Sequence, residues 1–232
     1  MFTPKIMYLA SKPIVLAYSR AMLKMDIEMQ EKFPKGAKII AANHPSTTDP
    51  FFVAGMVREQ SYILIKDVLF RVPLLGEYLK LSGHLPVEAG NGQAIIEAAV
   101  DLLRSGKNVI IFPEGDLSPL EGGFLKARTG VARLALMSGA PVVPVGIHLE
   151  RHRVHTIRST VRGQVEYGRW YLRGPYNLTV GSPLHFHGSV EDRPHVRAVA
   201  EHVMHHIIEM ARLSEIRMNR TFTPLTTLPD TL

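Results

Sequence analysis

Lys38-Ile39-Ile40-Ala41-Ala42-Asn43-His44-Pro45-Ser46-Thr47-Thr48-Asp49-Pro50 is the stretch that decides the fold of this chain. After the leading lysine, four apolar residues follow one another without alternation, as in a strand covered on both faces. They pass straight into Asn43-His44, then into Pro45 and three hydroxyl residues, and the apolar, helix-like run Pro50–Val57 begins directly after Asp49. A strand feeding a helix through a short polar turn is the repeating unit of a layered α/β domain. Ser46, Thr47 or Thr48 is expected to cap the new helix, and a turn of this length can fold Asp49 back towards His44.

The same grammar recurs along the chain. Tyr62–Ile65 and Asn108–Phe112 read as buried strands. Val142–Ile147 does too, with Pro144 arguing for a strand end or an edge position. Ala94–Leu103 places Ile95, Ile96, Ala99, Leu102 and Leu103 on one helical face and closes at Gly106, and Phe124–Ser138 closes likewise at Gly139. Arg193–Met218 reads as a final amphipathic helix. The expectation is an α/β layered domain, its central mixed sheet mostly parallel and flanked by helices, with chemistry in the loops at the carboxyl ends of strands. Phe33-Pro34-Lys35-Gly36 marks a boundary. Residues 1–35 are expected to form a basic amphipathic helical segment, 36–218 the main domain and 219–232 a loose tail.

Composition bounds the function. At 232 residues and 46% hydrophobic, the chain holds enough apolar material for one good-sized core. The absence of cysteine excludes disulfides, thiolate zinc sites, Fe–S clusters and a cysteine nucleophile. Lys and Arg number 27 against 21 Asp and Glu, a formal charge of +6, which favours an anionic partner: nucleic acid, an acidic membrane face or a phosphate-bearing substrate. The excess is uneven. Residues 1–25 hold Lys5, Lys12, Arg20 and Lys24, and residues 151–173 hold Arg151, Arg153, Arg158, Arg162, Arg169 and Arg173 against Glu166, with Tyr167, Trp170 and Tyr171 interleaved. Aromatics among arginines suit a membrane interface, a solvated hairpin or single-stranded nucleic acid. No segment reaches the ~20 consecutive apolar residues of a membrane span. Ile6–Met25 comes nearest, but Lys12-Pro13 and Ser19-Arg20 interrupt it, so membrane-associating helices lying on a bilayer are expected, with docking on the chain's own core as the alternative.

Two polar clusters carry chemistry. A hydroxyl is a poor nucleophile until a base of pKa near 6–7 takes its proton, and His44 is the side chain suited to that task. A carboxylate on the other ring nitrogen, supplied by Asp49, fixes the tautomer and stabilises the imidazolium that forms. No G-x-S-x-G elbow is present, so a serine hydrolase is unsupported. In the second cluster, the run Lys107–Phe112 delivers Pro113-Glu114-Gly115 into a loop, placing an acid directly after a buried strand.

Asn43, His44 and Asp49 as N-H-x-x-x-x-D, Phe112-Pro113-Glu114-Gly115 about seventy residues later, and Pro141-Val142-Val143-Pro144-Val145 after that form an ordered set that resembles the glycerolipid acyltransferase family, whose type members are the lysophosphatidic acid acyltransferases. The spacers agree: Lys66 opens a K-x-x-L-x-x-x-P-x-x-G pattern through Leu69, Pro73 and Gly76, and Tyr176–Leu184 looks like the family's last strand. The resemblance spans about residues 36–185. It implies an O-acyltransferase that moves a fatty acyl group from acyl-CoA or an acyl carrier protein to a hydroxyl of a lysophospholipid-type acceptor, 1-acylglycerol-3-phosphate being favoured. His44 and Asp49 would be the catalytic pair, with no metal or other cofactor. The enzyme would work as a peripheral or monotopic protein on the cytoplasmic face of a membrane, with no nucleic-acid partner.

Two departures bear on the acceptor. The family's second motif ends in arginine after an acid, where this chain has Glu88-Ala89, and the third continues Thr-Arg-Ser, where it has Asp116-Leu117-Ser118. The arginines implicated in gripping an acceptor phosphate are therefore absent. Lys66, Arg71, Lys126 and Arg128 are the candidates to replace them, so Phe112, Pro113, Glu114, Gly115, Lys66, Lys126 and Arg128 make up the expected substrate-binding set. The alternatives are the same chemistry on an aminolipid or glycolipid hydroxyl, which Glu114 beside Asp116 would suit, and a non-catalytic lipid-binding protein on the same scaffold. His202, His205 and His206 offer an H-x-x-x-H pair on one helical turn, best read as a solvated face since no third ligand is fixed nearby.

Overall fold

A computed structural model of the chain describes residues 4–88, 90–161 and 163–222. The elements are α1 (Pro4–Met22), β1 (Met25–Met29), β2 (Ile39–Ala42), α2 (Asp49–Met56), β3 (Ser61–Lys66), α3 (Leu75–Leu81), β4 (Leu85–Val87), α4 (Gly92–Arg104), β5 (Asn108–Ile111), α5 (Gly130–Ser138), β6 (Val142–Leu149), β7 (Val154–Val161), β8 (Gln164–Tyr171), β9 (Tyr176–Val180) and α6 (Arg193–Phe222). Seven strands form one sheet in the order β1-β9-β6-β2-β5-β3-β4. Every neighbouring pair is parallel except β6 with β9. β7 and β8 form a separate two-stranded antiparallel ribbon.

The unalternating apolar strands follow from helices on both faces. Ile40 and Ala42 of β2, Ile110 of β5 and Val143, Val145 and Ile147 of β6 point into one core, shared with Phe52 and Val53 of α2 and Leu79 of α3. Their neighbours Ile39, Ala41, Val109, Ile111 and Val142 point into the other, against α4, α5 and α6. With a strand's side chains alternating between faces, both faces buried require every residue to be apolar. Fully burying one such side chain contributes roughly 1.5–3 kcal/mol. α6 closes the second layer so tightly at Gly146 that a Cβ there would lie 1.9 Å from the Ala211 nitrogen.

Some sequence expectations need adjusting. β6 lies between β2 and β9, not at an edge. Pro144 sits at the end of the β6–β9 pairing, where its carbonyl accepts from the Gly181 N–H, one residue beyond the end of β9. Residues 1–35 are not helical throughout: Met25–Met29 forms β1 on the sheet edge, in register with β9 from Met25 opposite Tyr176. Met-Asp-Ile-Glu-Met alternates with the period of a strand, and Arg217 of α6 pairs with both Asp26 and Glu28. α5 begins at Gly130, not Phe124, because the preceding loop spends its backbone N–H groups on Glu114 and Pro113. α6 runs on to Phe222, and the rest of the expected tail, with Ala89 and Arg162, lies outside the described residues. Among the described residues, no helix is long and apolar enough to cross a membrane.

Candidate active site

The site stands where β2 and β5, adjacent and parallel, end. The loop after β2 carries His44 and the first residue of α2 is Asp49, so one short turn sets both side chains. Asn43 anchors the start of that turn: its amide donates to the Ile147 carbonyl at 2.9 Å and accepts from the Ile147 N–H at 2.7 Å. The hydroxyl cap expected for α2 is absent. Thr48 holds the N-cap position without a side-chain cap bond, and Asp49 instead accepts from the Ser46 N–H at 2.7 Å.

His44 Nδ1 lies 3.1 Å from Asp49 Oδ2, and the other carboxylate oxygen accepts from the Tyr176 hydroxyl at 2.6 Å. Asp49 and Tyr176 are both fully buried, whereas the His44 side chain keeps 17% of its surface. Burial pushes the Asp49 carboxyl up, and the bonds from His44, Tyr176 and Ser46 offset this only in part, leaving it above its ordinary value. Burial and the adjoining carboxylate likewise raise the Tyr176 hydroxyl well above its usual range, so it serves as a proton-bearing donor. With Nδ1 turned to Asp49, Nε2 is the ring nitrogen directed away from the carboxylate. The ring stacks on Phe112 with centroids 4.2 Å apart.

The Phe112–Gly115 turn is fastened to the same place. Glu114 Oε1 accepts from the His44 N–H at 3.1 Å and from the Ser118 hydroxyl at 2.6 Å, and Oε2 accepts from the Leu125 N–H at 2.7 Å. Ser118 returns its own N–H to the His44 carbonyl at 2.8 Å. Glu114, one of the expected substrate-binding residues, is 2% exposed with both oxygens engaged by protein donors, which makes it a brace between the two loops. Gly115 sits at φ +68°, and a Cβ there would meet the Arg128 side chain at 2.4 Å, so Arg128 lies across the turn. Lys66 Nζ pairs with Asp116 Oδ1 at 3.0 Å beside this turn. Partial burial pushes Asp116 up, but the Lys66 ammonium and the Leu117 N–H outweigh it and hold the carboxyl below its ordinary value. Lys126 is three-quarters exposed and faces Glu201 of α6 at 3.9 Å, the one member of the expected set drawn towards another helix. Arg71 pairs with Asp67 in the short turn after β3.

Three residues of the site escaped sequence reading. Tyr176 arrives from β9, Ser118 from the loop after Glu114, and Arg169 from β8. The Arg169 carbonyl accepts from the Thr47 N–H at 2.8 Å, its N–H donates to the Thr47 hydroxyl at 2.9 Å, and its guanidinium donates to the Ser118 carbonyl. The ribbon is thereby tied to both loops. Beside the turn opens a cleft of about 560 Å3, walled by Asp116, Leu117, Leu120 and Leu125 on one side and Thr156, Tyr167 and Arg169 of the ribbon on the other. A second cleft of about 270 Å3 lies between Asn43, Pro45, Phe124, Arg151 and Glu215. The histidine face of α6 is apart from both: His202 and His206 are 3.2 Å apart at their Nε2 atoms, and His205 and His206 face Glu209. Among the described residues no group of three metal-ligating side chains is present.

A histidine–carboxylate pair and a buried Pro-Glu-Gly turn thus meet at the carboxyl ends of adjacent parallel strands. The chain belongs to the acyltransferase family, whose model matches residues 24–148. It is 33% identical over 151 residues to a 1-acyl-sn-glycerol-3-phosphate acyltransferase of Limnanthes alba, a match covering 60% of this chain and 53% of that one. With the protein of the same description from Bacillus subtilis it shares 26% identity over 149 residues, covering 63% and 66%. It thus spans about half to two thirds of the length of these relatives. Its fold is similar to the crystal structure of the 1-acyl-sn-glycerophosphate acyltransferase PlsC from Thermotoga maritima, with a TM-score of 0.59 at 24% identity over 85% of this chain and 80% of that one.

Proposed function

We propose that this chain transfers a fatty acyl group from a thioester, acyl-CoA or an acyl carrier protein, to the free hydroxyl of a lysophospholipid of the 1-acylglycerol-3-phosphate type, working at the cytoplasmic face of a membrane. The observation that carries the reading is the 3.1 Å contact between His44 Nδ1 and the buried Asp49 carboxylate. Nε2 of His44 takes the acceptor proton as the hydroxyl oxygen attacks the thioester carbonyl. The tetrahedral intermediate then expels the thiolate, which recovers the proton from His44, leaving an ester and a free thiol. Asp49 holds the imidazole in the tautomer that presents Nε2 as a base and stabilises the imidazolium between the two steps. Backbone N–H groups of the site loops are suited to steady the oxyanion.

The likeness to 1-acyl-sn-glycerol-3-phosphate acyltransferases of Limnanthes alba and Bacillus subtilis favours the phosphate-bearing acceptor. The Lys66–Asp116 ion pair favours a second reading, a glycolipid or aminolipid hydroxyl, since a carboxylate follows the turn and Leu117 stands where an arginine would grip phosphate. The test is thiol release from acyl-CoA and acyl carrier protein against 1-acylglycerol-3-phosphate, a lyso-aminolipid and a glycolipid. His44→Ala should lower the rate roughly 10²–10⁴-fold. Near wild-type turnover in a folded His44→Ala protein would remove the proposal, and turnover confined to phosphate-free acceptors would leave the chemistry and change the substrate.

A further inference from the structure

The β7–β8 ribbon is built unlike the rest of the chain. An isolated two-stranded hairpin is marginally stable in water, and needs a third strand or a packed face to persist. Here residues 155–160 of β7 are exposed in succession, so neither face of the ribbon is covered along most of that strand. The exposed side chains of the ribbon include three large apolar ones and Arg158, beside the polar His155, Thr156, Ser159 and Thr160. Tyr167 is 60% exposed, Ile157 52% and Val165 42%. Trp170 lies across Gly168, whose partner on β7 is Ile157, so an indole and an isoleucine share one face. On the other face Arg158 stands opposite Tyr167, and Thr160 opposite Val165.

The ribbon is also held in a definite place. Its inner end is bonded through Arg169 to the turns carrying His44 and Ser118. Just beyond β8, the Leu172 carbonyl accepts from the Tyr18 hydroxyl and the Gly174 N–H donates to the Met22 carbonyl at 3.0 Å, which ties the ribbon to the end of α1. Thr156, Tyr167 and Arg169 form one wall of the cleft beside the Phe112–Gly115 turn. A lipid surface that takes in the ribbon would therefore meet the mouth of the site.

We infer that the β7–β8 ribbon is a bilayer-docking element that dips into the headgroup layer of an anionic bilayer, with Ile157 and Trp170 on one face and Val165 and Tyr167 on the other at the headgroup boundary and Arg158 among the lipid phosphates. Tyr and Trp suit that boundary because one end of each is apolar and the other wet, and arginine pairs with phosphate in the same layer. Charge complementarity selects the occupant: segment 151–173 carries six arginines and one acid. The inference rests on the membrane-surface part of the proposed function, and it places that surface on the ribbon as well as on α1.

Trp170 is the sole tryptophan of the sequence, so intrinsic fluorescence of the full chain reports on the ribbon alone. The chain is titrated with brominated-chain vesicles of phosphatidylcholine alone, with brominated-chain vesicles of phosphatidylcholine and phosphatidylglycerol, and with a single-stranded oligonucleotide at matched salt. The expected result is a blue shift and quenching with the brominated anionic vesicles, weaker with neutral ones and absent with oligonucleotide. One basic residue near an anionic surface contributes roughly fivefold in partitioning, so Arg158→Glu should weaken binding by at least about that factor. Ile157→Ser with Tyr167→Ser should abolish the quenching. Three results overturn the inference: co-sedimentation with vesicles while Trp170 emission stays unmoved, an oligonucleotide that binds as well as the vesicles do, or self-association of the chain that these variants remove without any lipid effect. None of these readings uses an acyl substrate, so a silent transferase assay leaves the docking result standing, and the reverse also holds.

Discussion

The Tyr176 hydroxyl donates to Asp49 Oδ1 at 2.6 Å, joining the first strand-to-helix turn of the site to a strand 127 residues later. Both side chains are fully buried. The bond does two things: it satisfies a carboxylate oxygen that water cannot reach, and it leaves the opposite oxygen aimed at His44. Tyr176→Phe keeps the ring and deletes the bond. An unsatisfied buried acceptor costs about 1–3 kcal/mol, more for a charged one, so the variant should unfold at lower denaturant with an unchanged slope. The hydroxyl also helps hold the Asp49 carboxyl down against the upward push of burial. Losing it raises that carboxyl further, so the acid limb of the pH–rate profile should move to higher pH. An unshifted profile would reduce Tyr176 to packing.

Asp49→Asn separates catalysis from stability. Asn retains one oxygen for the Ser46 N–H, and its amide can donate to Tyr176, whose hydroxyl rotates to accept. Burial of a charge is also relieved. Thermal stability at neutral pH should therefore hold or rise. Activity should fall roughly 10²–10⁴-fold, because the carboxylate that orients His44 and stabilises the imidazolium is gone. Parallel melting curves and thiol-release rates check both halves.

Much of this architecture was legible because it is local. Ile39–Ala42 and Asn108–Ile111 are buried on both faces, and such strands write themselves as unbroken apolar runs. His44 and Asp49 are visible because only the four residues Pro45–Thr48 of one turn separate them. What stayed hidden depends on contacts distant in sequence. Tyr176 reads as an ordinary strand residue until β9 is placed beside β6, and Arg169 reads as one arginine among six until the ribbon folds over Thr47. β1 was absorbed into the N-terminal helical segment because five residues alternating with period two give a weak signal beside nineteen helical ones. Glu114 stands out in the sequence as an acid after a buried strand, but the donors that engage it come from His44, Ser118 and Leu125, and only the fold brings them in.

Glu114→Gln should behave differently from Asp49→Asn. Every group around Glu114 is a donor: the His44 N–H, the Ser118 hydroxyl and the Leu125 N–H. A glutamine amide must turn its own NH2 towards one of them, setting donor against donor inside a buried pocket. The expected loss is about 1–3 kcal/mol in stability, with kcat falling for every acceptor tested and no selective rise in one acceptor's KM. A selective rise would return Glu114 to direct substrate contact.

His84 gives the chain a pH dependence of its own, away from the chemistry. It is 6% exposed, its Nδ1 accepts from the Ile63 N–H at 3.3 Å, and burial lowers its pKa to about 4 from an ordinary 6.5. Above pH 6.5 the ring is neutral both folded and unfolded, and its burial carries no protonation cost. Between 6.5 and 4 the unfolded chain binds a proton that the folded chain refuses, so stability falls as the pH falls through that window. Over the full span the loss is on the order of 3 kcal/mol. His84→Asn keeps an acceptor for Ile63 and removes the titration. Denaturant melts at pH 7 and pH 4.5 should therefore diverge less for His84→Asn than for the parent chain, and an equal divergence would show that another group sets the acid sensitivity.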